Sequence, residues 1–148
     1  MRPPLPGPNP RSRLPAGVTS HVEPGQKVPR LKSLTALAKK VVKGEGLKGR
    51  LNLVFCSDAL VRGLNRRYRK LDKVTDVLSF PWKEKDFAGE IFIACPQAYR
   101  QSKSYKTSFF NELQRLVIHG VLHVAGYDHV KAKERGIMRK REYFYMNT

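Results

Sequence analysis

With 148 residues the chain has the length of one domain, and 29 Lys and Arg against 12 Asp and Glu leave a formal net charge of +17. A charge so lopsided calls for a polyanionic partner, with nucleic acid ahead of an anionic membrane surface. Cys56 and Cys95 form no CxxC pair and lie in apolar stretches, which excludes a disulfide framework and a thiolate zinc site.

Residues 1–30 hold eight of the ten prolines, and this composition predicts a disordered, proline-rich tail ahead of a folded domain at 31–148. The same prolines oppose the amphipathic helix that a transit peptide needs. From Leu31 the pattern turns helical, with Leu31, Leu34, Leu37, Ala38 and Val41 on one face, and Gly44 and Gly46 are expected to end the run. The segment 51–56, LNLVFC, is short, apolar and rich in strand formers. A second helix follows, capped by Ser57 or Asp58, with Leu60, Val61, Leu64 and Tyr68 on one face. VLSFPW (77–82) and GEIFIAC (89–95) read as two strands joined by a polar link, and Pro81 assigns the first to a sheet edge or a strand end. Cys95-Pro96 stops the strand and can start a helix. The longest helical pattern runs through Leu113, Leu116, Val117, Val121 and Leu122 to Gly126, and a last helix dense in Lys and Arg ends the chain. The order αβαββααα predicts a single α+β domain, a small mixed β-sheet packed with helices. Nowhere does an apolar run reach the roughly 18–20 residues that cross a bilayer, nor is there a signal-peptide core, so a cytoplasmic protein is expected.

Three of the four histidines fall inside HGVLHVAGYDH, residues 119–129. On a helix, His119 and His123 share a face. Gly126 stands where the helix should turn back, which returns His129 toward the same point. Three neutral imidazoles leave a tetrahedral Zn²⁺ with one open position, the arrangement of a catalytic site on a long helix and its following turn. Three separately satisfied core histidines would have to reproduce that spacing by chance. The spacing H-x3-H-x2-G-x2-H is also that of the metzincin proteases, which carry Glu after the first His as general base. Here that position is Gly120, read as opening room beside the metal.

Two further stretches complete a pattern. HGVLHVAGYDH resembles the HGxLHLxGYDH signature of the YbeY endoribonuclease family, LNRRYRKLDKVTDVLSFPW resembles its LNxxYRxxDxPTDVLSFP block, and GEIFIACPQA resembles its GDIxIxxxxA strand. The resemblance covers most of residues 60–130. Val74 and Ala125 depart from it, and the tail and residues 31–50 lie outside it. It implies one zinc per chain, held by His119, His123 and His129, with Arg69 as the catalytic arginine. It implies single-strand-specific RNA cleavage in 16S ribosomal RNA 3′-end maturation and ribosome quality control. The partners so implied are single-stranded ribosomal RNA and the small ribosomal subunit, with neither DNA nor membrane among them. The competing readings are a non-catalytic ribosome-assembly factor with a structural zinc and a metzincin-like metalloprotease, the latter opposed by Gly120 and by the charge. Asp128 is a candidate either to orient His129 or to cap the next helix, and Thr75 and Asp76 are expected to hold a turn. Arg139, Lys140 and Arg141, with Tyr143, Phe144 and Tyr145, form either an RNA-tracking surface or a solvated helix face over core aromatics.

Overall fold

The apolar segments along the chain assemble one four-stranded sheet in the computed structural model, which describes residues 17–148. The elements run β1 (Val18–Val22), α1 (Leu31–Glu45), β2 (Arg50–Cys56), α2 (Asp58–Arg69), β3 (Val77–Glu84), β4 (Phe87–Ala94), α3 (Cys95–Ser104), α4 (Phe109–Val124) and α5 (Ala132–Met146). The sheet order is β1-β2-β4-β3; β1 and β4 flank β2 in parallel, and β3 pairs with β4 antiparallel. This is the mixed sheet and single α+β domain that the alternation of segments predicts.

Period-two alternation sends the central strands' side chains to two cores. Leu51, Leu53 and Phe55 of β2 and Ile91 and Ile93 of β4 meet α1 and α4, while Val54, Cys56, Phe92 and Ala94 turn to the face covered by α2. Every residue of β2 and β4 is buried, as central strands covered on both faces must be. Helix α4 supplies Leu113, Leu116, Val117, Val121 and Leu122 to the larger core, each contributing about 1.5–3 kcal/mol on burial. Pro81 falls on the edge strand β3, just before the register shift that separates it from Glu84. The free cysteines Cys56 and Cys95 are buried, and that burial pushes the Cys95 thiol up to about 11 and the Cys56 thiol higher still.

Two expectations are corrected. The tail expected over residues 1–30 contains a strand: Val18–Val22 pairs in register with β2 from Leu51 to Phe55. Proline content averaged over thirty residues hides the proline-free run VTSHV, and a strand needs only its backbone and the open edge of β2. Residues 1–16 lie outside the described residues. Gly44 does not end α1, which continues to Glu45 and stops at Gly46, in the left-handed region at φ 67°. Gly44 instead makes room: a Cβ there would lie 2.2 Å from the Tyr145 hydroxyl of α5. Beside it the Glu45 carboxylate accepts hydrogen bonds from Tyr127, Arg141 and Tyr145, tying α1 to α5 and to the turn after α4.

Candidate metal centre

Ser108 caps α4, its hydroxyl accepting from the Asn111 N–H, and the helix carries His119 and His123 one turn apart. After the Ala125 cap, Gly126 takes φ 111°, which few side chains tolerate, and the chain turns back. His129 returns to within 5.4 Å of the His119 ring and 6.0 Å of the His123 ring, centroid to centroid. Asp128 holds this turn by accepting from the Val130 N–H at 3.0 Å, and it does not cap the next helix, whose N-cap is Lys131. Arg135 adds a second tie, donating to the Val130 carbonyl at 2.8 Å and the His129 carbonyl at 3.4 Å.

The fourth predicted residue arrives from the other side of the sheet. Arg69 ends α2, and the 70–76 loop that follows is pinned by Asn65, whose amide donates to the Lys73 carbonyl at 3.0 Å. A hollow of about 110 Å³ results, lined by Arg69, Thr75, Asp76, Val77, Ser79, His119, His123 and His129. All four residues predicted for the site therefore share one cavity, bordered by edge strand β3. Thr75 and Asp76 both line the hollow, and of the two it is Asp76 whose side chain bonds the backbone of the turn, with the Thr75 hydroxyl donating to its carboxylate at 3.4 Å. The Asp76 carboxylate accepts from the Val77 N–H at 2.8 Å and from Gln101 at 3.0 Å. Gln101 also donates to the buried Glu112, which accepts in turn from Arg115 through Nε and Nη2.

Two of the imidazoles have surroundings that bear on ligation. His119 Nδ1 donates to the Glu142 carboxylate of α5 at 2.8 Å, leaving Nε2 as its free nitrogen. Nothing in the sequence marks Glu142 for this role, since only the packing of α5 on α4 brings it to His119. The buried Nδ1 of His123 lacks a hydrogen-bond partner of good geometry and has only a loose interaction with the Tyr127 backbone. Burial first, then the positive charge that His119, His129 and Arg69 can carry, holds His123 below the usual histidine range, in its neutral, ligating form. Among the described residues, no trio of His, Cys, Asp or Glu already stands in ligating geometry. The fit to zinc is therefore one of donor chemistry and convergence: three imidazoles around one hollow, one of them with a buried nitrogen lacking a well-formed hydrogen bond and one oriented by a carboxylate.

Gly120 corrects the reading made from its spacing. It faces the sheet, not the hollow: a Cβ there would meet Ile91 Cγ2 at 2.7 Å and Ser79 Oγ at 3.3 Å. Its carbonyl accepts from that same Ser79 hydroxyl at 3.2 Å. The absent side chain lets α4 lie close on β3 and β4, and a metzincin-type glutamate would be driven into Ile91. The basic tract of α5 divides as well. Arg141 is paired with Glu45 and Tyr145 is buried, whereas Tyr143 and Phe144 are exposed.

An α+β sheet presenting three imidazoles and a guanidinium on one hollow has the form of a metal-dependent hydrolase. The family model of the endoribonuclease YbeY matches residues 23–148. The endoribonuclease YbeY of Pelotomaculum thermopropionicum is 42% identical over 120 residues, 74% of this chain and 79% of that one. That of Desulforamulus reducens is 38% identical over 124 residues, 76% and 81% of the two chains. A Thermotoga maritima protein solved in solution shares the fold with a TM-score of 0.66 and 31% identity, covering 88% of this chain and 87% of its own. The chain belongs to the endoribonuclease YbeY family of metal-dependent hydrolases.

Proposed function

We propose that this chain cuts single-stranded RNA at the histidine hollow, acting in the cytoplasm on the 16S RNA of the small ribosomal subunit in 3′-end maturation and quality control. The observation that carries the reading is the meeting of Arg69 with His119, His123 and His129 on one cavity. Family membership supports the ribonuclease chemistry, and a net charge of +17 suits a polyanionic substrate.

In this reading His119, His123 and His129 hold one zinc ion through neutral nitrogens. When bound, the ion supplies Lewis-acid polarisation of a phosphoryl oxygen and makes water more acidic. Arg69 takes the phosphate from the other wall, its guanidinium donating to the oxygens that gain charge as the scissile bond breaks. Glu142 keeps the His119 ring turned toward the hollow, and the Asp76–Gln101–Glu112–Arg115 chain keeps the floor of the site from rotating away. No membrane partner belongs to this reading, and among the described residues no helix is long and apolar enough to cross one.

The test compares zinc-loaded wild type with Arg69→Ala and His123→Ala on single-stranded RNA, on casein and on small subunits with unprocessed 16S 3′ ends. RNA fragments from the wild type alone, with metal retained by Arg69→Ala and lost by His123→Ala, are expected. Casein cleavage would favour the protease reading. Full metal with no RNA cleavage by the wild type would favour a structural zinc.

A further inference from the structure

A second hollow of about 220 Å³ lies between α4 and α5, and it shares His119 and His129 with the first. Those two rings form the partition between the cavities. The far walls are Arg115, Arg135, Arg139, Met138 and Glu142. Three guanidiniums thus face one carboxylate, and that carboxylate is turned to His119 Nδ1 at 2.8 Å. The three cations are not equivalent. Arg115 is compensated by Glu112. Arg135 spends its hydrogen bonds on two backbone carbonyls and makes no ion pair among the described residues. Arg139 is exposed and makes no hydrogen bond or ion pair among the described residues.

We propose that this α4–α5 hollow is a second phosphate subsite, holding through Arg139 and Arg135 the RNA phosphate next to the scissile one. The inference rests on the ribonuclease reading of the neighbouring cavity. A strand with one phosphate between Arg69 and the histidines must carry its next phosphate out over a wall of that cavity. Beyond the wall made by His119 and His129 lies a basic hollow. An unengaged guanidinium offers paired N–H donors matched to two phosphate oxygens, which a solvated lysine does not. The substrate is thereby defined more closely: a strand continuing at least one nucleotide beyond the cut on the α5 side, with each subsite taking one phosphate.

The test uses the full zinc-loaded chain with a single-stranded octanucleotide and with a dinucleotide that has only the scissile phosphate. Binding is followed by anisotropy across a salt series, and cleavage by product analysis. Arg139→Ala should weaken octanucleotide binding about tenfold and lower the slope of log affinity on log salt by about 0.7, the share of one single-strand phosphate contact. It should leave the dinucleotide and the melting temperature unchanged. Lys140→Ala, which removes the same charge one residue away but lines neither cavity, serves as the control. Equal losses on both probes, a loss no larger than that of Lys140→Ala, or no loss at all would overturn the subsite while leaving the ribonuclease reading intact. A wild type that neither binds nor cuts the octanucleotide would overturn both.

Discussion

Gly120 is pressed against Ile91, and a methyl group added there has nowhere to go on a β-branched side chain of a central strand. Gly120→Ala should therefore destabilise by about 1–3 kcal/mol through overpacking, in spite of alanine's better helix propensity. Denaturant titration checks this, and an unchanged or raised midpoint would show that α4 can ride away from the sheet at no cost. Gly120→Glu should fail more severely, by burying a carboxylate, so loss of RNA cleavage in that variant reports on the fold and not on the phosphate. Glu90 is the second residue whose setting decides its behaviour. It is fully buried on β4, and burial raises its carboxyl to about 8, with Trp82 and Asn52 pulling it only part of the way back. The folded state holds Glu90 protonated, so its contribution is intact below the ordinary carboxylate value and is lost as pH rises through about 8. Melting curves over that range should fall for the wild type and stay flatter for Glu90→Gln; parallel curves would contradict the assignment.

At the scale of elements, β1 closes the edge of β2, and α5 lends a carboxylate to the candidate metal centre. Removing residues 1–22 leaves a long, wholly buried-type strand with an open ladder. Such a truncation should lower the melting temperature and promote association, which light scattering during the melt would register; an unaltered, monomeric protein would mean that β1 is dispensable to the sheet. Helix α5 contributes Glu142 to His119 across the α4–α5 contact. Glu142→Ala should weaken zinc binding by about 10- to 100-fold, as the loss of a ligand-orienting carboxylate does, and a chelator competition gives the number. Affinity equal to wild type would reduce the Glu142–His119 contact to a surface pair. The effect should be separable from folding, since α5 remains anchored through Met138 and Tyr145 in the core.

Over the whole molecule the excess of positive charge dominates. RNA affinity should fall steeply and linearly on a log–log plot from low to moderate salt, its slope counting the phosphates neutralised. A flat titration would mean that recognition is carried by protein contacts or base contacts instead. The charge is not spread evenly in its consequences: Arg62 is spent on Asp72, Arg141 on Glu45 and Arg115 on Glu112, while Arg139 stays open at the rim of the site. A count of basic residues therefore overstates the number available to RNA.

What was legible along the chain was whatever local geometry carries. His119 and His123 are one helical turn apart, and Gly126 and His129 follow within a single reversal, so their convergence needs no distant partner. Helix and strand segments could be read for the same reason, because amphipathic period and capping residues such as Ser57 act over a few residues. Arg69 was marked only by its motif, since an arginine in a basic helix end looks alike whether solvated or in a site. Tertiary structure alone decided the rest. The strand β1 exists because β2 offers it an edge, Gly120 faces Ile91 because of how α4 settles on the sheet, and Glu142 meets His119 because α5 folds back on α4. Each depends on contacts between residues far apart in the chain, and no periodicity within one segment encodes which distant surface it will meet.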